Sequence, residues 1–192
     1  MKKEEIETFC PANQKEWRQW LKKNHASKQS VWLVYYKKKT GKATIAWSEA
    51  VDEALCFGWI DGKANPVDEE RFMHLFSKRK PNGTWSKINK EKIQRLIDAE
   101  LMTKAGHETI EAAKQNGSWT ILDEVEELII PKDLEKEFKT QPGSKKFFLS
   151  LSKSLKKQML QWIVMAKQKE TRQKRISEIA ERASQHLKPK QF

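Results

Sequence analysis

The sequence predicts an α+β fold, in which a small antiparallel sheet packed with helices is followed by an all-helical C-terminal half. The runs rich in β-branched and aromatic residues, which are typical of strands, lie before residue 80. From Trp85 onward, apolar residues recur at helical spacing in one segment after another. A chain of 192 residues with eight Trp and eight Phe is also large enough to bury a core of its own.

The N-terminal part of the chain is predicted to alternate between helix and strand. Residues 13–28 place Trp17 and Trp20 at helical spacing, which indicates a short amphipathic helix. Residues 30–39 contain VWLVYY, and this composition favours a strand. A turn containing glycine follows, and we expect a second, short strand over residues 43–47.

A helix and a β-hairpin are predicted next. The helix covers residues 48–57, with Ser48 as its N-cap and Gly58 as the left-handed glycine that ends it. The hairpin covers residues 59–80, and its loop is expected at residues 65–68, where Asn, Pro and Asp favour a turn.

The remaining chain is predicted to be helical. Residues 86–102 and 103–115 each show a helical repeat, and Pro131 suits the first turn of a further helix. The last third is expected to form two amphipathic helices. Their apolar stripes consist of Leu155, Met159, Leu160, Trp162, Ile163 and Ala166, and of Ile176, Ile179, Ala180, Ala183 and Leu187.

The positive charge is concentrated near the C-terminus. We predict an α+β domain with trailing helices over residues 1–143 and a basic helical segment over residues 144–192 packed on it as one compact unit. The segment 144–192 has thirteen Lys and Arg against three Glu, whereas residues 1–143 are nearly balanced. Such a face is suited to phosphates, anionic lipid or an acidic partner, and is equally typical of a solvated surface. Its basic side chains are Lys153, Lys156, Lys157, Lys167, Arg172, Lys174, Arg175 and Arg182.

Several classes of protein are not expected. Cys10 and Cys56 lie far apart and form no zinc-ligand spacing, so neither a disulfide framework nor a metal site is predicted. No phosphate-binding, dinucleotide-binding or serine-hydrolase motif occurs, and no cofactor is expected. The N-terminus lacks the apolar segment of a signal peptide, and no apolar run is long enough to span a membrane. The predicted location is therefore the cytoplasm.

The hairpin carries the polar residues that best suit a binding site. If its strands pair as predicted, Asp61 lies near Arg71, His74 and Arg79 in one small sheet. A carboxylate, an imidazole and guanidinium groups beside tryptophans would bind an anionic or amphipathic ligand, or support acid–base chemistry. The alternative is that Asp61 ends a strand and Arg79 forms a structural ion pair. The ligand-binding candidates are Trp47, Trp59, Asp61, Arg71, His74, Arg79 and Trp85.

Four stretches of the sequence, in the same order along the chain, resemble the YdeI/OmpD-associated family of bacterial proteins, also called bacteriocin-protection proteins. These stretches are WSEAVDEALCFGWIDG, RFMHLFSKRK, WSKINKEKIQRLI and LSLSKSLKKQMLQWIVMAKQKETRQKRI. The resemblance covers about residues 13–185. This chain departs from it at Ser77-Lys78-Arg79, where family members commonly read Thr-Pro-Arg, and at Asn82-Gly83-Thr84, where members commonly have a Ser before the Trp-Ser pair.

The resemblance implies a role in tolerance of antimicrobial peptides or bacteriocins, and it implies no particular enzymatic reaction. The outer-membrane porin in the family's name is not carried over, because this chain shows no export signal. We therefore expect a cytoplasmic, non-enzymatic protein that binds a ligand or a protein partner in antimicrobial-peptide or envelope-stress tolerance. The alternatives are nucleic-acid binding through the basic C-terminal helices, and an enzyme with a site around Asp61, His74 and Arg79.

Overall fold

The computed structural model describes residues 6–192, which divide into two compact units. The first unit contains the chain up to Gly83 together with Ile88–Gly117. The second contains Thr84–Lys87 together with Ser118–Phe192. The boundary expected after residue 143 falls inside the second unit, and that division stays a prediction.

The first unit contains a four-stranded sheet in the order β1-β2-β4-β3. Its strands are β1 (Thr8–Phe9), β2 (Ser30–Tyr36), β3 (Trp59–Pro66) and β4 (Arg71–Lys78). The β2–β4 and β3–β4 pairs are antiparallel, which confirms the predicted α+β class. The sheet also contains β1, which pairs in parallel with β2 and was not predicted. A strand of two residues is too short to show alternation in the sequence.

The helices of the first unit begin and end close to the predicted positions. They are α1 (Gln14–Asn24), α2 (Trp47–Cys56), α3 (Lys87–Asp98) and α4 (Lys104–Gln115), and a 3₁₀ turn covers Lys38–Thr40. One face of the sheet packs on α1 through aromatic rings. Trp17 lies 5.4 Å from Phe76 and 5.2 Å from Trp20, measured between ring centroids. Trp17 Nε1 also donates to the carbonyl of Ala50 in α2, at 3.0 Å, so that both helices are tied together.

Two predictions at the start of α2 were wrong. Residues 43–47 form no strand, because residues 41–46 have no regular structure and Trp47 opens the helix. Ser48 is not the N-cap, since Ala46 holds that position and its N–H donates to the Glu49 carboxylate at 3.0 Å. A glutamate that accepts this bond can start a helix one turn ahead of itself, and it displaces the serine here.

The end of α2 is as predicted. Gly58 has φ of +72°, a left-handed conformation that favours glycine over every other residue. A Cβ at this position would also lie 2.7 Å from the side chain of Thr109 in α4. The hairpin that follows has its loop at residues 67–70 and not at residues 65–68, because Asn65 and Pro66 still pair with β4. Pro66 is tolerated there because β3 is an edge strand.

The second unit is helical. Its helices are α5 (Asp123–Glu126), α6 (Lys132–Thr140), α7 (Ser144–Ser150), α8 (Lys153–Val164) and α9 (Lys169–Ser184). The two helices expected in the last third are present as α8 and α9, whereas α7, which precedes them, was not predicted. This helix of seven residues buries only Ser144 and Phe148, so it has no repeating stripe that the sequence would reveal. Pro131 is the N-cap of α6, one residue before the helix starts.

The second unit has an apolar core of its own, formed mainly by α6, α8 and α9. Its buried residues are Leu122, Val125, Leu134, Phe138, Phe148, Met159, Leu160, Ile163, Ile176, Ile179 and Ala180. The predicted stripes are confirmed for most of their members, whereas Leu187 is largely exposed. Among residues 6–192, no helix combines the length and the apolar character needed to cross a bilayer.

Candidate functional site

A β-bulge in β3 determines which side chains meet on the helix-covered face of the sheet. Asp61 pairs with Phe76, and Ala64 pairs with His74, so that two residues of β3 between these pairs oppose one residue of β4. Residues that lie directly opposite each other share a face. Asp61, His74 and Phe76 therefore all lie on the same face, and Asp61 sits inside β3 and not at its end. Bulges of this kind commonly re-aim a side chain beside a functional site.

Trp47 lies over this face from the first turn of α2. Its Nε1 donates a hydrogen bond of 3.2 Å to Asp61 Oδ2, and its ring centroid lies 6.1 Å from that of His74. The Trp47 side chain remains 47% exposed, which is unusual for the largest apolar residue in a well-packed unit. Trp47 and Asp61 therefore form a partly exposed edge of this face.

Tyr35 and His74 carry buried polar atoms for which the protein supplies no partner. Tyr35 is 1% exposed, and its ring lies 5.6 Å from His74 and 5.1 Å from Phe72. Within residues 6–192, neither Tyr35 Oη nor His74 Nδ1 forms a hydrogen bond. Buried polar groups are nearly always bonded, so two such atoms in one place require an explanation.

The charge of Asp61 acts on both of these groups, but burial dominates. Burial raises the pKa of Tyr35 far above its ordinary value, and the nearby Asp61 carboxylate raises it further. Burial lowers the pKa of His74, and Asp61 opposes that change without reversing it. Both side chains are consequently neutral at neutral pH.

Arg79 adds a buried cation immediately after β4. Its backbone N–H donates to the carbonyl of Gly58 at 2.9 Å, which joins this residue to the end of α2. Burial lowers the pKa of the Arg79 guanidinium to about 10, and the Asp61 carboxylate raises it in part. Arg79 is therefore still charged at neutral pH, with Asp61 as a nearby opposite charge.

We call Tyr35, Trp47, Asp61, His74 and Arg79 the Asp61 cluster. It contains one carboxylate, one guanidinium, a neutral phenol and a neutral imidazole, next to three aromatic rings. Such a set is able to hold a small polar ligand by hydrogen bonds. Of the two neutral groups, only the imidazole carries a basic nitrogen, so it alone is able to accept a proton.

The other sequence-predicted candidates lie elsewhere. Trp59 is fully buried, and its Nε1 donates to the carbonyl of His25 at 3.3 Å, so it is a core residue. Arg71 lies at the far end of β4, where it pairs with Asp68 of the hairpin loop at 2.7 Å. Trp85 belongs to the second unit and packs there on Trp119, at 4.9 Å between ring centroids.

Sequence reasoning did not identify Tyr35 as a site residue. The available signal was the alternation within VWLVYY, which places Val31, Leu33 and Tyr35 on one face of β2. The register then sets Tyr35 opposite Phe72 and Leu33 opposite His74. The pairing of β2 with β4 was needed to recognise this, and the sequence does not specify which strands are neighbours.

Other reactive groups of the first unit are engaged in structure. Burial raises the pKa of the Cys56 thiol to about 11, so it remains protonated and is a core residue. Asp52 accepts from Lys92 Nζ and from Arg95 Nη2, both at 2.5 Å. Glu53 accepts from Arg18 at 2.6 Å. Within residues 6–192, no group of three or more His, Cys, Asp or Glu is arranged to hold a metal ion.

The basic side chains of the C-terminal segment are used in different ways. Lys157 pairs with Glu126 at 2.5 Å, and Arg172 forms two bonds to Asp133. Arg175 donates to the carbonyl of Trp162, and Arg182 donates to that of Lys188. Lys156 donates to the Leu149 carbonyl. Of the eight predicted basic residues, Lys153, Lys167 and Lys174 are exposed and form no such bond in the described chain.

The exposed side of α9 mixes both signs of charge. A groove there is lined by acidic and basic side chains in alternation, namely Glu170, Gln173, Lys174, Ser177, Glu178, Glu181, Arg182 and Lys190. A track for a phosphate backbone requires a continuous basic surface. The geometry of α9 consequently provides less support for nucleic-acid binding than the net charge alone suggests.

Two family models match different parts of the chain. Residues 9–109 match the family described as "Domain of unknown function (DUF8412)", which is more than half of the chain. Residues 127–186 match the family described as "Bacteriocin-protection, YdeI or OmpD-Associated". This second match confirms the family resemblance for that part of the sequence. Neither a curated protein nor a solved structure matches the chain.

Proposed function

We propose a function from the premise that this chain belongs to the DUF8412 family and is a YdeI-type protein over residues 127–186. The protein binds a ligand at the Asp61 cluster, and it does so in the cytoplasm and without transforming the ligand. Through this binding it supports tolerance of antimicrobial peptides or of envelope stress.

The observation that carries the proposal is the pair of buried, unbonded polar atoms, Tyr35 Oη and His74 Nδ1. Leaving a buried polar group without a hydrogen bond costs about 1–3 kcal/mol. An ion pair between Asp61 and Arg79 would account for the two charges, but it would not account for a phenol and an imidazole. A ligand that bonds to these atoms would recover the cost on binding, which is the reason to place the ligand there.

The chemistry of the cluster supports binding in preference to catalysis. A nucleophile requires a deprotonated hydroxyl or thiol, or a base beside it. Tyr35 has a strongly raised pKa and Cys56 keeps its proton, so neither group is activated. His74 and Asp61 are the groups of the cluster that could accept a proton, and without an activated nucleophile they do not define a reaction.

A genetic complementation experiment tests the proposal. A strain lacking the gene is complemented with the wild type, with Tyr35→Phe or with Asp61→Asn, and its sensitivity to a panel of cationic peptides is measured. The matched controls are Tyr36→Phe and Glu69→Gln, which make the same chemical changes in the same sheet and hairpin but outside the cluster. We expect the wild type and both controls to restore tolerance, and the two cluster variants to fail.

Two outcomes would contradict the proposal. If the deletion strain is as tolerant as its parent, the role in peptide tolerance is wrong. If Tyr35→Phe and Asp61→Asn complement fully at wild-type protein levels, ligand binding at the Asp61 cluster is not the basis of the function. Protein levels are measured by immunoblot, so that loss of folding is distinguished from loss of binding.

A further inference from the structure

We infer that the part of the ligand held by the Asp61 cluster is an uncharged primary amide, that is, a carboxamide group. This inference rests on the proposed function and specifies the chemical class of its ligand. It follows from the charges of the cluster, from its unbonded atoms and from the rings around them.

The cluster already contains one negative and one positive charge, which balance each other. Asp61 is the acidic group and Arg79 the basic one, and the Asp61 carboxylate raises the pKa of both His74 and Arg79. Trp47 Nε1 donates to one oxygen of this carboxylate. A third charge in this partly buried place would have no counterion of its own in the cluster, because the remaining groups are neutral. A carboxylate ligand would also approach Asp61, and an ammonium ligand would approach Arg79.

The unbonded atoms call for a ligand that both accepts and donates hydrogen bonds. The Tyr35 hydroxyl keeps its proton and donates readily to a carbonyl oxygen. The neutral imidazole of His74 accepts at Nδ1 when its other nitrogen carries the proton. Trp47 binds to Oδ2 of Asp61, so the Oδ1 atom is the oxygen of this carboxylate that is left to accept from a ligand. A primary amide presents one carbonyl and two N–H groups, and thus provides a partner for all three atoms.

The shape of the surroundings favours a flat group. The ring of Tyr35 is stacked on that of Phe72 at 5.1 Å, and His74 lies edge-on to both rings, at 5.6 and 5.7 Å. Planar groups pack well on such ring faces and edges. An amide is planar and polar only at its edge, so it matches rings on its faces and hydrogen bonds around its rim.

Three small probes of the same shape but different charge test which charge the cluster prefers in a ligand. Acetamide, acetate and acetamidinium each have four heavy atoms in one plane, and they are neutral, anionic and cationic at neutral pH. Each is titrated into the full-length, ¹⁵N-labelled protein at constant ionic strength, and binding is followed by the indole N–H resonance of Trp47. The indole N–H of Trp59, which is bonded to His25 in the core, serves as the internal reference.

We expect acetamide to shift the Trp47 resonance in a saturable manner, and both charged probes to bind at least about tenfold more weakly. Tyr35→Phe should weaken acetamide binding, whereas Tyr36→Phe, on the opposite face of β2, should leave it unchanged. Tighter binding of acetate or acetamidinium would overturn the inference on the ligand class and leave the proposed site standing. No saturable shift with any probe, or a crystal structure in which acetamide binds away from Tyr35 and His74, would overturn it as well. The complementation experiment reports separately on the proposed function.

Discussion

At the scale of a single residue, the Tyr35 hydroxyl shows how a group of the Asp61 cluster lowers the stability of the folded protein. The ring of Tyr35 contributes to the core on the helix-covered face of the sheet, as Leu33 and Val31 do. Its hydroxyl is buried in the same place, without a hydrogen bond from the described part of the chain. The residue thus stabilises the fold through its ring and destabilises it through its oxygen.

Tyr35→Phe should therefore increase the stability of the free protein. The variant keeps the stacked ring and removes the unbonded oxygen, so we expect the free energy of unfolding to rise by about 1 kcal/mol. Urea denaturation followed by tryptophan fluorescence measures the difference. Tyr36→Phe is the control and should change stability by less than about 0.5 kcal/mol. A loss of stability in Tyr35→Phe would mean that the hydroxyl has a structural partner.

His74 should make stability depend on pH below neutrality. Its pKa is lowered in the folded protein by burial, so between that value and the ordinary value of about 6.5 the unfolded chain binds more protons than the folded one. The contribution of His74 to stability is thus complete above about pH 6.5 and is lost as the pH falls.

The measurement compares urea unfolding at pH 7.5 and pH 5.5 for the wild type, His74→Gln and the control His107→Gln, whose side chain is exposed. Glutamine keeps hydrogen-bonding groups at position 74 and does not titrate. We expect the loss of stability on acidification to be smaller in His74→Gln than in the other two proteins. An equal loss in all three would show that His74 has an ordinary pKa.

At the scale of an element, α2 shows how far local sequence signals extend. Its end beside Phe57 and its left-handed Gly58 were predicted because each depends on neighbours along the chain. Its N-cap was misplaced by two residues, since the choice between a cap at Ser48 and one at Ala46 supported by Glu49 depends on small energy differences. Strand β1 was not predicted, because two residues form a strand only when β2 lies beside them.

The contact between α2 and α4 depends on Gly106. A Cβ there would clash with the backbone carbonyl of Cys56, which also accepts hydrogen bonds from Thr103. Alanine in a helix is favoured over glycine by about 1 kcal/mol. We nevertheless expect Gly106→Ala to destabilise the protein by about 1–3 kcal/mol, because the clash involves backbone that cannot move freely.

Chemical denaturation tests this prediction, with Gly62→Ala as the control. A Cβ on Gly62 would make an ordinary contact with the Leu75 carbonyl at 3.5 Å, and its φ is not positive. Gly62→Ala should therefore leave stability nearly unchanged. If Gly106→Ala is instead more stable by about 1 kcal/mol, the amount expected from the preference of alanine for helices, then α2 and α4 can move apart without a loss of stability.

At the scale of the whole molecule, the net charge of +12 predicts weak and unspecific binding to polyanions. We expect a DNA duplex to be retarded by the protein at low salt only, and the affinity to fall steeply as salt rises. Replacing Lys153, Lys167 and Lys174 together by Gln should reduce the salt dependence, because these side chains are exposed and make no bond in the described chain. Replacing Arg172, which is bonded to Asp133, should lower stability instead.

A gel-shift series over increasing salt gives this result directly. Binding that persists at physiological salt, or that distinguishes between DNA sequences, would contradict the prediction and favour a role in nucleic-acid recognition. If the protein fails to retard DNA even at low salt, the acidic residues of α9 cancel the attraction of the basic residues for DNA.

The candidate site was predictable in part. Asp61, His74 and Arg79 were identified from their places in one hairpin, because hairpin partners are close in sequence. Trp47 was among the candidates although it was assigned to a strand, and the structure brings it to Asp61 from a helix. Tyr35 required knowledge of a pairing between strands more than thirty residues apart, and no local pattern contains that information.

The bulge between Asp61 and Ala64 implies that β3 can lose one residue at this place without losing the arrangement of the site. Gly62 and Lys63 together oppose Leu75, so a strand without one of them would pair regularly with β4 and would keep Asp61 opposite Phe76 and Ala64 opposite His74. A slip of the pairing by one residue elsewhere in β3 would instead turn Asp61 to the other face of the sheet. The place along the strand at which a difference in length falls is thus a way to sort relatives that a comparison of residue identities alone would group together.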